Sequence, residues 1–445
     1  MYLIKDAHIV NEGRVFKASV LIKDDKIDSI FKADVPESII QSAELIDASD
    51  CWLMPGIIDD HVHFRDPGFP EKADFYSETC AAIAGGVTSV MDMPNTNPQT
   101  TSIHNWEDKM NIASDKSLCN YALYLGATND NLSDLLQADP TKVCGIKLFL
   151  GSSTGNMLVE KKDAIENIFA KSPLLIAVHA EDEEIIQKNR LHFTNLYADK
   201  IPIEFHTSIR SAEACFKASA MAVELAHKYN SRLHLAHIST EKELALFKNK
   251  SIDKKRISSE VCVNYLWFSY KDYEKYGAKI KCNPSIKTET DKCALLNALS
   301  SDKIDVIATD HAPHLLSEKN GYCMQAVSGI PSVQFSLPLM MEFVKRGNIS
   351  IEQLVTKMCH NPAKIFNIEK RGFIRKGYKA DLTIVRRKEL WRADQSCVLS
   401  KCAWSPYEGV EFTTKVAYTF VNGRKVFDNG KMSNTLRGEA LCFNA

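Results

Sequence analysis

Leu174-Leu175-Ile176-Ala177-Val178-His179 is a short apolar run that closes on an imidazole, and the chain repeats the arrangement. Leu233-His234-Leu235-Ala236 runs into His237, Ile304-Asp305-Val306-Ile307-Ala308-Thr309 runs into Asp310, and Pro55-Gly56-Ile57-Ile58 leads to His61 and His63. Lys147 sits inside a fifth run, Ile146-Lys147-Leu148-Phe149. Further β-rich runs at residues 89–91 and 257–263 alternate with helical stretches at 74–85 and 211–229. Strand and helix repeated this often fit a (β/α)8 barrel better than a doubly wound sheet, because no Gly-rich dinucleotide loop follows any strand. In such a barrel the C-terminal strand ends converge on one face, so these distant ionisable residues would meet in one pocket.

Residues 1–54 read differently, as short alternating bursts separated by turns such as Asn11-Glu12-Gly13. The texture returns after residue 372, with an Asn422-Gly423 turn between two strand-like runs. The expectation is an α/β chain: a TIM-type barrel over residues 55–371 and a small β-sandwich-like domain built from both termini, 1–54 plus 372–445. The 445 residues are 45% apolar and 25% charged, as in an ordinary folded protein. A net charge of −1 provides no field for nucleic acid or an anionic membrane, and no apolar run approaches the ~20 residues that span a bilayer. Thirteen cysteines without a Cys-x-x-Cys pair suggest neither a disulfide framework nor a zinc ribbon. A cytoplasmic location and a small-molecule substrate are expected.

Imidazoles and a carboxylate converging on one point suit zinc, which takes nitrogen and oxygen ligands and leaves a position for water in catalytic sites. Any one of His61, His63, His179 and His237 reads most simply as a hydrogen-bonded histidine at the core's edge; four at strand ends beside Asp310 favour a metal. His8, His104, His192, His206 and His360 lack such company and read as structural or surface residues. Lys147 reads either as an ion-paired or snorkelling side chain or as a neutral amine able to form a carbamate with carbon dioxide.

The run from Pro55 through His61-Val62-His63-Phe64-Arg65-Asp66-Pro67-Gly68 resembles the signature of the dihydroorotases in the amidohydrolase superfamily. Gly85-Gly86-Val87-Thr88, Met93-Pro94-Asn95-Thr96-Asn97-Pro98, Ala308-Thr309-Asp310-His311-Ala312-Pro313-His314 and Asn361-Pro362-Ala363 extend the resemblance. It implies a distorted (β/α)8 barrel and two zinc ions held by His61, His63, His179, His237 and Asp310, with a carbamylated Lys147 bridging; Glu181 or Asp182 would be the next candidates to bridge. It implies reversible cyclisation of N-carbamoyl-L-aspartate to L-dihydroorotate, the third step of pyrimidine synthesis, with Asp310 moving the proton. Arg65, Asn95 and His314 would hold the substrate carboxylate, while Asn283 and backbone groups around Gly329 would contact the ring.

Two positions depart from the family pattern: Asn264-Tyr265 where many members carry paired histidines, and Lys287 where arginine is common. Glu260 reads equally as a partner of a metal-binding histidine or of a lysine. Hydantoinases and allantoinases share the metal residues, and a catalytically inactive scaffold is a third reading; Arg65 with Asn95 separates the first, and the complete ligand set the second. A homodimer and a transcarbamoylase partner stay open, and residues 317–325 are the segment where mobility is expected.

Overall fold

The computed structural model describes residues 1–151, 157–433 and 437–444. The chain opens with β1 (Tyr2–Asn11), β2 (Arg14–Lys23), β3 (Lys26–Phe31), β4 (Glu44–Asp47) and β5 (Cys51–Pro55). The barrel strands follow: β6 (Ile57–Val62), β7 (Val87–Asp92), β8 (Asn120–Leu123) with its short continuation β9 (Leu125–Gly126), β10 (Ile146–Phe149), β11 (Ile176–His179), β12 (Leu233–Leu235), β13 (Ile257–Cys262) and β14 (Val306–Ala308). After the barrel come β15 (Leu382–Arg386), β16 (Trp391–Arg392), β17 (Glu411–Phe412), β18 (Lys415–Val421), β19 (Arg424–Asp428) and β20 (Lys431–Met432).

The barrel strands are parallel and pair in chain order. β9 joins β8 to β10, and a bridge between Val62 and His311 closes β14 onto β6. Alternation along these strands sorts two cores. Ile58, Met91, Ala122, Ala177, Val306 and Ala308 point into the barrel and pack with Tyr124 and Phe366. Their neighbours Ile57, Val90, Leu123, Val178 and Ile307 face outward and are covered by helices. Those helices start where side chains can satisfy free backbone donors: Asp74 caps Phe75–Ala84 through Ser77 N at 2.8 Å, and Ser211 and Thr288 cap Ala212–Tyr229 and Glu289–Ser300.

Both termini contribute to one nine-stranded sheet in the order β20-β19-β18-β15-β5-β1-β2-β3, with β4 beside β1. The β18–β19 hairpin turns through Asn422 and Gly423, whose φ angles of 50° and 73° are what a tight two-residue hairpin needs. The segment from Gly438 to Phe443 then leaves this sheet for the barrel. Tyr121 N donates to Glu439 O (3.0 Å) and Leu441 N to Tyr121 O (2.8 Å), and Phe443 bridges Ile368.

Candidate active site

His61 lies in β6 and His63 immediately beyond it. Both turn Nε2 to the same oxygen, Asp310 Oδ1, at 3.2 and 3.0 Å. His179 ends β11, and its Nδ1 faces Nε2 of His237, two residues past β12, at 2.8 Å. Ring centroids of His61 and His237 are 5.3 Å apart, so four imidazoles and one carboxylate gather at the strand ends as the apolar runs suggest. Arg65, His237 and Asp310 all take left-handed backbone, at φ of 64°, 41° and 47°. For residues other than glycine such strain is uncommon and concentrates at functional sites.

The outer nitrogens of three of these rings are occupied. His61 Nδ1 meets Glu260 Oε1 at 3.0 Å, His63 Nδ1 meets Asn95 Oδ1 at 2.7 Å, and His179 Nε2 meets Glu181 Oε2 at 3.0 Å. An outer N–H donated in this way fixes the tautomer and leaves the inward nitrogen as a bare ligand. Burial lowers the pKa of His63 to about 4 and also lowers those of His179 and His237, keeping the imidazoles in the neutral, metal-binding form. Burial opposes ionisation of Asp310, yet His61 and His63 beside it hold the carboxyl below its usual range. Glu260 also accepts from His237 N at 3.0 Å and from the Cys262 thiol at 3.2 Å and approaches His234, so among the described residues it pairs with histidines and a thiol rather than with a lysine.

Lys147, in β10, is fully buried, and among the described residues its Nζ has no hydrogen-bond partner. It lies 5.2 Å from the Phe149 ring centroid and within the fields of Asp310, His179 and His237. Burial lowers its pKa, towards the neutral amine that can accept carbon dioxide. The donor set therefore fits metal ions: His61, His63 and Asp310 are close enough to share one, His179 and His237 offer two more nitrogens, and the orphaned Lys147 amine lies among them. Glu181 is engaged by His179 and Arg210, and Asp182 caps the helix Glu183–Tyr197.

A pocket beside these residues is lined by His63, Arg65, Asn95, Asn283, Asp310, Ala312, Ser328 and Gly329, with about 280 Å³ of empty space including its mouth. Larger clefts elsewhere, such as the one between Asp47–Cys51 and Arg386–Glu389, hold none of the strand-end histidines. Arg65 is buried, donates Nε to Pro313 O at 3.1 Å and turns one terminal nitrogen to His314 Nε2 at 3.0 Å. Burial lowers its pKa to about 10, so it stays cationic at neutral pH. His314 thus reaches the pocket through Arg65, and its other nitrogen faces Lys72 Nζ at 3.2 Å. Asn283 Oδ1 is held by His206 at 3.1 Å, which gives that histidine a place in the site's support. Gly329 has φ of 146°, and a Cβ there would meet Ala312 O at 2.5 Å; its N–H donates to Lys281 O (2.9 Å) and its carbonyl accepts from Lys319. Gly329 therefore shapes the wall while both its backbone groups are committed within the protein.

Neither departure from the family pattern lines this pocket. Asn264 accepts from Tyr407 Oη, and Lys287 Nζ is held by Ser285 at 2.9 and 3.0 Å. Residues 317–325 are tied down: Lys319 is buried against three carbonyls, and Cys323 N donates to Ile201 O at 2.8 Å. Trp404, far along the chain between β16 and β17, donates Nε1 to His314 O at 2.8 Å. No local motif marks it, because its role depends on where the connection between those strands crosses the barrel mouth.

The sequence profile of the amidohydrolase family matches residues 52–426. A dihydroorotase of Methanosarcina acetivorans is 33% identical over 98% of this chain and 94% of its own length, and one of Pyrococcus furiosus is 34% identical over 87% and 84%. Among solved structures, the L-hydantoinase (dihydropyrimidinase) of Arthrobacter aurescens superposes with a TM-score of 0.91 at 26% identity, covering 97% of this chain and 98% of that one. With the whole barrel and its strand-end residues inside the match, the protein belongs to the amidohydrolase family, among its hydrolases of cyclic amides.

Proposed function

We propose that the protein is a dihydroorotase, interconverting L-dihydroorotate and N-carbamoyl-L-aspartate in pyrimidine nucleotide synthesis in the cytoplasm. Two zinc ions would be held by His61, His63, His179, His237, Asp310 and a carbamylated Lys147. The observation that carries this choice among cyclic amides is Arg65, a buried guanidinium in the wall of the pocket that holds His63 and Asp310. A ring bearing a carboxylate supplies the anion that such a group binds, with two parallel hydrogen bonds.

Zinc, when bound, lowers the pKa of an attacking water and polarises the ring amide carbonyl. The protein's own part is orientation and proton transfer. Glu260 and Asn95 hold His61 and His63 by their outer nitrogens, and Arg65 binds the substrate carboxylate with His314 behind it. Asp310 takes the proton released as the water oxygen bonds to the carbonyl carbon. It delivers that proton to the ring nitrogen as the carbon–nitrogen bond breaks. In the reverse direction the same carboxylate receives the proton from the attacking ureido nitrogen.

The likeness to a hydantoinase fold supports a second reading, hydrolysis of a ring without a carboxylate. Steady-state kcat/KM for L-dihydroorotate against hydantoin separates the two. The dihydroorotase reading expects a large preference for dihydroorotate, and a preference for hydantoin rejects it. Absence of turnover with either would leave the scaffold reading, which a full set of metal donors makes the less economical one.

A further inference from the structure

Two lysines that touch neither the pocket nor a carboxylate lie directly behind its wall. Lys319 is 2% exposed, and its Nζ donates to Lys281 O (3.0 Å), Val327 O (2.8 Å) and Gly329 O (2.8 Å). Lys281 is also buried, and its Nζ donates to Cys323 O (2.6 Å) and to Ala326 O. Gly329 N–H returns to Lys281 O at 2.9 Å, so both ammonium groups and the Gly329 peptide form one clasp. Among the described residues every hydrogen-bond partner of either ammonium is a carbonyl. The one acidic neighbour, Glu318, is paired with Lys72 at 2.6 Å. Arg65 likewise has a carbonyl and a neutral imidazole as its partners. Three buried basic groups therefore stand around one small pocket, and among the described residues none of them forms an ion pair, although Arg65 lies in the fields of Asp310, Asp92, Glu318 and Glu78. Burying a charge without a counter-charge is costly, offset here only by the carbonyls, so its retention calls for a use.

We propose that Lys319, with Lys281, is a specificity-determining residue: its charge, acting across the Gly329 peptide, makes the pocket select rings that carry a carboxylate. The proposal rests on the dihydroorotase reading and extends it from the group that touches the carboxylate to the field behind it. A preorganised charge in a water-poor wall acts at full strength, since no solvent reorganises to screen it. The clasp commits both backbone groups of Gly329 away from the pocket, its N–H to Lys281 O and its C=O to Lys319, so the residue presents only its small Cα to the wall. Burial lowers the Lys319 pKa to about 7, with Cys282, Lys281, Glu318 and Arg65 as the titratable or charged groups facing it. The charge is accordingly complete below that pH and declines above it.

The test compares the inhibition constants of orotate and uracil, planar rings with and without the carboxylate, for the zinc-loaded wild type, Lys319→Met and Lys281→Met. The expected result is an orotate-to-uracil preference reduced about tenfold in Lys319→Met, the order for one charge across a peptide layer at an effective dielectric of ~20. The wild-type preference should also fall as pH rises through about 7, with that step missing in Lys319→Met. Equal weakening of both inhibitors, or an unchanged ratio, overturns the proposal and makes the clasp a wall brace only. The wild-type pH profile decides the matter even if the variants do not fold, a flat ratio counting against the proposal. Failure of the dihydroorotase reading is separate, because it appears as no turnover of dihydroorotate by the wild type.

Discussion

At the scale of single residues, the site divides labour between groups that hold and groups that react. In the proposed mechanism Asp310 does both, which Asp310→Asn can separate. The amide oxygen still offers a ligand to the cluster with His61 and His63, but the proton acceptor is gone. Bound zinc is expected to persist while kcat falls by ~10² to 10⁴, the usual worth of a general base; near-normal turnover in a metal-replete variant rejects the role. For Arg65→Lys, a point charge replaces the fork and the buried contact to Pro313 O is lost, so kcat/KM for dihydroorotate should drop at least tenfold, and further in Arg65→Ala. An Arg65→Ala enzyme with unaltered preference for the carboxylate substrate would contradict the assignment. The five strand-end residues proposed as ligands, and Lys147, were legible because each closes or interrupts an apolar run. Their supports are legible only in part: in sequence Glu260 reads equally as the partner of a histidine or of a lysine, Asn95 as a substrate contact and His206 as structural or surface, because each takes its role from the ring nitrogen or amide oxygen it faces in space.

At the scale of elements, the barrel was legible wherever a strand carried an ionisable residue at its end. Residues 118–126, which form β8 and β9, carry no such mark. A parallel strand buried on both faces reads as an apolar run without alternation, and a short one resembles a piece of helix. What registers this region is again tertiary. The helix Ile103–Lys116 sends Lys109 into the barrel wall, where it meets Asp92 Oδ2 at 2.5 Å and Met93 O at 2.8 Å, and the other Asp92 oxygen accepts from Phe64 N at 2.7 Å. Both partners of this pair are almost fully buried. Lys109→Met removes the cation and strands the carboxylate, so unfolding free energy should fall by about 3–5 kcal/mol. Denaturant titration checks this, and a loss under about 1 kcal/mol would show that Asp92 has no need of its partner.

Across the whole molecule, the ends of the chain are structural parts of the enzyme. The first strands and the last share one sheet, and the tail from Gly438 to Phe443 returns to the barrel beside β8. Leu441 and Phe443 are buried there, and Arg371 links Asp381 to Glu439 across the same seam. Removing residues 438–445 takes away two buried apolar side chains worth ~1.5–3 kcal/mol each, uncovers the surface they pack on, and frees the Tyr121 backbone groups. A melting temperature lowered by several degrees is expected, and an unchanged one would show the tail to be decoration. The central claim, however, concerns the pocket: six residues gathered from five barrel strands are proposed to form a two-metal centre for a carboxylate-bearing cyclic amide. Titrating zinc into metal-free protein while following hydrolysis of L-dihydroorotate tests it most directly. The account predicts that activity appears with zinc and reaches its plateau at two ions per chain. Full activity with one ion, or no hydrolysis at any zinc level, would contradict it.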